Sequence, residues 1–239
     1  MLYGPQRDEA DLAFSIPSIC AEHIEQGSAD IGLVPMAEIA RQDLEIVPGL
    51  GICCRGAVRS ILLFSRVPWG SIGKVAADLS SRTSVQLARV ILRERFGIEP
   101  AMAPSEPALE RMLTDTDAAL IIGDPALRLR PEELPFEWLD LGAEWFELTS
   151  LPMVFAAWAG RPALALDRIE RLTRASYEFG RMHLAEIVKR APAEHGIDPE
   201  LAGRYLREHI HYELGASELE GLQTFLQLAK LKPALAEHA

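Results

Sequence analysis

The first half of the chain repeats one pattern four times: a short apolar segment, a tight junction, and a segment with helical periodicity. The apolar segments are residues 12–15, 31–34, 75–77 and 118–122. Strands that alternate with helices in this way are typical of α/β proteins. The pattern predicts an α/β fold with mainly parallel sheets, in which ligands bind beyond the carboxyl ends of the strands.

Proline, glycine and aspartate mark the expected ends of the helices. Pro17 suits a first helical position, and Gly27 and Gly97 suit the residue that follows a helix. Asp124 precedes a proline, so we predict that it caps its helix, with a catalytic carboxylate as the alternative interpretation.

The junction after residues 75–77 is dense in hydrogen-bond donors. A helix N-terminus has unpaired N–H groups and a partial positive charge, which together favour an anion. Ordinary capping by Ser80 or Ser81 is the competing interpretation. The density of donors favours a ligand. The predicted anion-binding residues are Ser80, Ser81, Arg82, Thr83 and Ser84.

Further residues fall at the other strand ends or on the connections, where they would line the same cleft. Arg55, Arg59 and Arg82 are of the type that binds carboxylates with two hydrogen bonds, although Arg55 and Arg59 could equally be solvated. The apolar segment PMVF, residues 152–155, would form an apolar wall. The remaining predicted substrate-binding residues are Ser18, Met36, Arg59, Ser60, Gly123, Asp124 and Pro152.

Two long extended segments bracket residues 68–150, and the chain becomes helical from Asp167 onward. This order predicts two lobes with a ligand cleft between them. Lobe 1 would consist of residues 1–67 and 151–239, and lobe 2 of the inserted residues 68–150. Among the C-terminal helices, Asp198 is a predicted cap, Gly215 a predicted stop, and Ser217 with Glu220 a predicted capping box.

Composition narrows the class of protein. The formal net charge is −11, whereas a nucleic-acid-binding protein would more often have a basic face. No apolar run approaches the roughly 20 residues of a membrane span, and the N-terminus does not resemble a signal peptide. Three cysteines, Cys20, Cys53 and Cys54, fit a reducing cytoplasm, where we expect Cys53 and Cys54 to be buried.

Several kinds of catalytic site are unsupported. The sequence has neither a glycine-rich phosphate loop nor a serine in a nucleophile elbow. His209 and His211 are two residues apart and would point to different faces of a helix, so a metal site is not predicted there. The residues alone thus indicate a cleft for a small carboxylic acid, with binding and catalysis both open.

Four stretches, VPGLGICCRGAVRSILLFSRVP, VAADLSSRTSVQLARVILRERFGIEP, AALIIGDPALR and LDLGAEWFELTSLPMVFAAWAGR, resemble the MqnA family. Members of this family are chorismate dehydratases of the futalosine route to menaquinone. The tail YLREHIHYELGASELEGLQTF is similar to the C-terminal helices of the family. The resemblance extends from about residue 12 to residue 228.

The resemblance implies a type II periplasmic-binding-protein fold that acts as an enzyme in the cytoplasm. The implied reaction removes water from chorismate and yields 3-[(1-carboxyvinyl)oxy]benzoate, with no metal or organic cofactor. Chorismate is a dicarboxylate, and residues 80–84 would hold one carboxylate. The catalytic residues are not identified by the resemblance, and a carboxylate of the substrate is a candidate proton acceptor.

The chain departs from the family in two places. Family members begin with a strand and a Ser-Tyr-Leu-Asn-like turn, whereas this chain starts at MLYGPQ, which predicts a true start upstream of Met1 or an impaired form. Relatives often carry serine near Met36, so one polar contact is expected to be missing.

Three other functions compete with the dehydratase. The sister dihydroxynaphthoate synthase of the same pathway would differ in its anion-binding helix. A cytoplasmic binding protein for a small carboxylic acid, without catalysis, would have the same cleft. An effector-sensing lobe of a transcription regulator would be preceded by a DNA-binding helix pair, which this sequence lacks.

Overall fold

A computed structural model describes residues 4–78, 80–162 and 165–232. Most of the chain in these ranges is organised into helices and strands. They are α1 Pro17–Glu25, β1 Ile31–Pro35, α2 Met36–Gln42, β2 Glu45–Cys54, β3 Ile61–Ser65, β4 Lys74–Asp78, α3 Arg82–Phe96, β5 Ala101–Ser105, α4 Leu109–Met112, β6 Ala118–Ile122, α5 Gly123–Arg128, β7 Glu137–Asp140, α6 Leu141–Thr149, β8 Met153–Gly160, α7 Leu166–Met182, α8 Leu184–His195, α9 Pro199–Arg204, β9 His211–Glu213 and α10 Ala216–Leu228. A π-helical turn, Tyr205–His209, separates α9 from β9.

Three of the four predicted strand–helix units are confirmed. Helix α1 begins at Pro17, and α3 ends before Gly97, which has a φ of 68°. The first predicted strand, residues 12–15, is wrong, since residues 11–16 form no regular structure and Phe14 is 71% exposed. An apolar segment forms a strand only where another strand offers it a hydrogen-bonding edge, and β1 pairs along its length with β8.

The strands form two sheets. The first has the order β1-β8-β2-β9, and each of its described pairs is antiparallel. The second has the order β5-β4-β6-β3-β7, in which β4 is parallel to β5 and β6 while β3 is antiparallel to β6 and β7. The prediction of mainly parallel sheets is therefore wrong. Strands β3 and β8, where the chain passes from one sheet to the other, are antiparallel to their neighbours.

The sheet membership of β3 bears on the predicted lobes. Residues 61–65 pair with β6 and β7 and so belong to the second sheet, although the predicted first lobe included residues 1–67. Strand β8 returns the chain to the first sheet. One large cluster of buried apolar side chains includes members of both sheets, among them Val34, Cys53, Leu63 and Leu120.

The C-terminal region differs from its predicted helices in two ways. Asp198 caps α9 as predicted, but this helix ends at Arg204, so Gly215 does not end it. The predicted capping box of Ser217 and Glu220 is also wrong. Helix α10 follows Gly215, whose N–H donates to the carboxylate of Glu218 at 3.1 Å.

Glycine permits the close approach of α10 to the start of β8. A Cβ atom on Gly221 would lie 2.1 Å from the carbonyl oxygen of Pro152, which belongs to the backbone and cannot rotate away. Gly180, inside α7, has open space at the corresponding point. The two helical glycines therefore differ only in what surrounds them.

We expect Gly221→Ala to lower the free energy of unfolding by about 1–3 kcal/mol, because overpacking forces a backbone shift. Gly180→Ala should raise it by about 0.5–1 kcal/mol, because alanine favours a helix. Chemical denaturation of the three proteins measures both effects. Equal stability of the two variants would contradict the packing described for α10.

The cysteines behave as apolar side chains. Cys53 and Cys54 are buried in β2, as predicted, and Cys20 is half-buried. Burial raises the pKa of the Cys53 thiol to about 12 and also raises the pKa of the Cys54 thiol. All three cysteines are free thiols. Among the described helices, none is both long enough and apolar enough to cross a membrane.

Candidate functional site

The N-terminus of α3 is capped by its own serines. Ser81 is the N-cap, and its hydroxyl accepts the N–H of Ser84 at 3.4 Å and lies 3.1 Å from the Ser84 hydroxyl. The N–H of Ser80 donates to the carboxylate of Asp78 at 2.9 Å. Capping by Ser81, which was the competing interpretation of this junction, is therefore confirmed. The first N–H groups of the helix, those of Arg82 and Thr83, have no partner inside the helix because a helix has none to offer there.

Two contacts join the beginning of α3 to the beginning of α2. The N–H of Ala37 donates to the hydroxyl of Thr83 at 3.1 Å, and the guanidinium of Arg82 pairs with Glu38 at 3.0 Å. Helix α2 follows a strand of the first sheet, whereas α3 follows a strand of the second. These contacts therefore bring strand ends of both sheets together. We call residues 36–38 and 80–84 the junction site.

Glu38 organises the charges of the junction site. Its side chain is only 3% exposed and accepts from Arg41, at 2.9 Å, as well as from Arg82. Arg41 in turn pairs with Glu25 of α1 at 2.8 Å. These carboxylates raise the pKa of the Arg41 guanidinium. Sequence reasoning did not identify Glu38, because a glutamate near an arginine on a short helix has the appearance of a solvated pair.

The members of the junction site differ in their access to solvent. Met36, Thr83 and Ser84 are buried, so the hydroxyls of the last two support the junction from within. Ser80 and Ser81 are half-buried, and the Arg82 side chain is 51% exposed. A ligand approaching the helix would therefore meet Arg82 and the serines first.

A second group of predicted residues meets where β3 begins and β6 ends. The carbonyl of Ser60 accepts the N–H of Gly123 at 2.8 Å, and the buried Ser60 hydroxyl accepts from the phenol of Tyr205 at 3.1 Å. Burial raises the pKa of Tyr205, so its phenol remains a hydrogen-bond donor. Gly123 has a φ of 65°, which favours glycine. We call Arg59, Ser60, Gly123 and Asp124 the hinge cluster.

Arg59 is held by the end of α5. Its guanidinium donates to the carbonyls of Ala126, at 3.1 Å, and Leu129, at 2.5 Å. Burial lowers the pKa of this guanidinium. The other arginines predicted to bind a carboxylate also have protein partners, since Arg55 pairs with the buried Glu218 at 2.7 Å. A ligand at any of them would add to, or replace, an existing contact.

Asp140 holds the backbone of the hinge cluster, although sequence reasoning did not single it out. One carboxylate oxygen accepts the N–H groups of Val58, Gly142 and Ala143 at 2.9–3.1 Å. The other accepts the N–H of Arg59 at 2.6 Å, and Arg59 has a φ of 65°. One buried side chain therefore caps α6 and also fixes the turn that leads into β3.

The prediction that Asp124 caps its helix is wrong. Helix α5 begins at Gly123, one residue before Asp124, and its N-cap is Ile122. The Asp124 carboxylate instead lies 2.8 Å from Nδ1 of His195. The carbonyl of His195 accepts from Arg128 at 2.8 Å. These contacts tie the C-terminal helix α8 to α5 of the second sheet.

The two remaining predicted residues lie apart from these groups. Ser18 is in the first turn of α1, and Pro152 precedes β8, where its carbonyl accepts from the indole of Trp145 at 3.1 Å. Neither side chain is hydrogen-bonded to another predicted site residue within the part of the chain that the structure describes. The same part contains no group of three or more His, Cys, Asp or Glu side chains that could hold a metal ion.

Comparison with known proteins gives a consistent result. A family model described as menaquinone biosynthesis matches residues 2–231. The chain is 31% identical over 223 residues to a chorismate dehydratase of Thermus thermophilus, covering 84% of this chain and 80% of the relative. It is 25% identical over 217 residues to a chorismate dehydratase of Campylobacter jejuni, covering 90% and 82% of the two chains.

Solved structures identify the fold. A protein of Archaeoglobus fulgidus superposes with a TM-score of 0.71 at 18% identity, over 92% of this chain and 84% of the other. The periplasmic aliphatic sulphonate binding protein of Escherichia coli superposes with a TM-score of 0.59 at 16% identity, over 90% and 74%. The fold is therefore of the periplasmic-binding-protein type, with mixed α/β architecture and two sheets.

Proposed function

The chain belongs to the menaquinone-biosynthesis family, and we infer from this membership that it is a chorismate dehydratase. The observation that carries the inference is the match over residues 2–231, together with the 31% identity to the Thermus thermophilus enzyme. The protein is accordingly an enzyme, a hydro-lyase that breaks a carbon–oxygen bond. Its substrate is a small molecule with two carboxylates.

The reaction needs little from the protein beyond orientation and charge stabilisation. A ring C–H bond of chorismate breaks, its electron pair forms a new ring double bond, and hydroxide leaves from the neighbouring carbon. The proton and hydroxide together make water, and the remaining ring is aromatic. Aromaticity makes the step favourable, so a site that fixes the geometry and stabilises the developing charge suffices.

We propose that the junction site holds one carboxylate of the substrate. Arg82 would donate from its exposed guanidinium, and the first-turn N–H groups of α3 would complete the binding. Glu38 is proposed to position Arg82, and Thr83 to hold α2 against α3. The carboxylate would share Arg82 with Glu38, because that guanidinium has other N–H groups to donate.

The hinge cluster is proposed to form the other side of the substrate site. Ser60, Gly123 and Asp124 lie at the start of β3 and the end of β6, and Arg59 fixes α5 beside them. Ser18, Met36 and Pro152 stay predictions as substrate contacts. For the proton acceptor we propose a carboxylate of the substrate, because the junction hydroxyls are weak bases at neutral pH.

We also propose the organisation in two lobes, with the boundary moved to residues 55–60 so that β3 joins the inserted lobe. Contacts between α2 and α3 would then lie between lobes, as a ligand-closing arrangement requires. A cytoplasmic location is proposed on the free thiols of all three cysteines, which suit a reducing compartment.

The test is to mix the purified protein with chorismate and to follow the products by mass spectrometry. We expect the mass of chorismate to fall by one water, with an aromatic ultraviolet spectrum appearing at the same rate. The same assay is applied to the variant Arg82→Gln. Arg89→Gln, at an exposed position of the same helix, is its control for nonspecific loss of charge.

The alternatives predict different products. Binding of chorismate or of the benzoate product without turnover would indicate a carboxylate-binding protein on the same fold. Turnover of a larger nucleoside-derived substrate, with none of chorismate, would indicate the sister dihydroxynaphthoate synthase. Either result would overturn the dehydratase assignment.

A further inference from the structure

A groove of about 630 Å³ lies at the edge of the first sheet, away from the junction site. Its walls come from α7, the π-helical turn, β9 and the residue that follows β2. The basic and aromatic side chains that line it are Arg55, Arg181, Arg207, His211, Tyr177 and Tyr212, and Glu213 is an acidic lining residue. This volume lies in the range of sites for small organic ligands.

The groove concentrates positive charge on a protein whose formal net charge is −11. Arg55 is engaged by Glu218, but no carboxylate among the described residues lies within 4.0 Å of the guanidinium of Arg181 or Arg207. Glu213 lines the same groove and is beyond that distance from both arginines. Within the described residues, these two guanidinium groups of the groove are therefore not ion-paired with a carboxylate.

Aromatic rings lie beside these cations. The guanidinium of Arg181 is 5.7 Å from the centre of the Tyr177 ring, and this ring lies 5.5 Å from that of Tyr212. Burial raises the pKa of Tyr212, so its phenol stays protonated at neutral pH and is available as a hydrogen-bond donor. Guanidinium groups recognise carboxylates, and tyrosine rings favour a flat partner.

The guanidinium of Arg207 has a defined place on the wall of this groove. A Cβ atom on Gly203 of α9 would lie 2.8 Å from one of its terminal nitrogens, so the glycine leaves room for the arginine to lie against the helix. The absence of a side chain at Gly203 therefore leaves space for the Arg207 guanidinium at this wall of the groove.

We propose that this groove is a second ligand site, which binds a planar ring bearing carboxylates through Arg181 and Arg207. The groove shares no lining residue with the junction site, and the proposal does not rest on the chorismate assignment. The ligand would place its carboxylate between the two guanidinium groups and its ring against the tyrosines. His211 and the phenol of Tyr212 would supply further donors.

Titration of the full chain with isophthalate, followed by calorimetry and by NMR, tests the proposal. We expect saturable binding that weakens at least tenfold in the double variant Arg181→Gln, Arg207→Gln. The matched control is Arg168→Gln, Arg171→Gln, which removes two charges from α7 outside the groove and should keep the wild-type affinity. Arg82→Gln should also keep it. Arg55 is left intact because its removal would leave Glu218 buried and unpaired.

Several outcomes would overturn the proposal. Unchanged affinity in the Arg181, Arg207 variant would show that the ligand binds elsewhere. An equal loss of affinity in the α7 control would show that the effect comes from net charge alone. Loss in Arg82→Gln alone would place isophthalate at the junction site. Equal affinity for cyclohexane-1,3-dicarboxylate would remove the role assigned to the tyrosine rings. Failure of chorismate turnover, measured separately, bears on the dehydratase assignment alone.

Discussion

Replacing Arg82 with glutamine is expected to lower kcat/KM for chorismate by about 10- to 100-fold, because a hydrogen bond to a charged group contributes roughly 1.5–3 kcal/mol. The fold should survive the change. Glu38, the buried partner of Arg82, would still be paired with Arg41 at 2.9 Å, so no buried carboxylate is left alone. Steady-state kinetics and a thermal melt of the same preparations separate the two effects.

The control for this variant is Arg89→Gln, which removes the same charge from an exposed position two turns along α3. It should keep kcat/KM within about twofold, because exposed charges far from a ligand are screened by salt. Ser84→Ala should weaken carboxylate binding through the loss of its contact with the capping Ser81. Wild-type kinetics in both Arg82→Gln and Ser84→Ala would exclude the junction site from substrate binding.

Replacing Asp140 with alanine should cause the largest loss of stability among single changes considered for this chain. The carboxylate accepts four backbone N–H groups, from Val58, Arg59, Gly142 and Ala143, and it is 8% exposed. Alanine would leave these donors without an acceptor. We expect about 3–5 kcal/mol less free energy of unfolding, or roughly 10 °C in melting temperature.

Asp117→Ala is the matched control for Asp140. Asp117 also accepts backbone N–H groups, from Gly73 and Lys74 at 2.9 and 3.0 Å, but these bonds are near solvent, where water can replace the carboxylate. Its loss should cost about 1 kcal/mol or less. Asp140→Asn should fall between wild type and alanine. If urea denaturation shows that Asp140→Ala and Asp117→Ala lower the free energy of unfolding by similar amounts, the burial of Asp140 does not explain its contribution to stability.

The sequence predicted correctly those features that depend on residues close to one another along the chain. Pro17 and Gly97 mark helix ends by backbone geometry, and Ser81 caps α3 because serine hydroxyls reach the first-turn N–H groups. Burial of Cys53 and Cys54 followed from the apolar segment that contains them. The family resemblance added the reaction, since no single motif in the chain specifies one.

Local rules failed where a residue's partner is distant in sequence. Asp124 has the context of a helix cap, yet its carboxylate faces His195, 71 residues away. Glu220 has the spacing of a capping box, yet Glu218 takes that place, because it is buried where it also meets Arg55. Residues 12–15 have the composition of a strand, yet they are not paired with any strand of the two sheets.

By itself, the sequence determined that this protein alternates strands with helices, that a donor-rich helix N-terminus follows β4, and that it resembles chorismate dehydratases. These properties depend on backbone preferences and side chains within a few residues of one another. The tertiary structure alone decided the strand directions, the pairing of Arg82 with Glu38 and the four bonds of Asp140. Those depend on which distant segments meet, since a buried charge must find its partner wherever the fold places one.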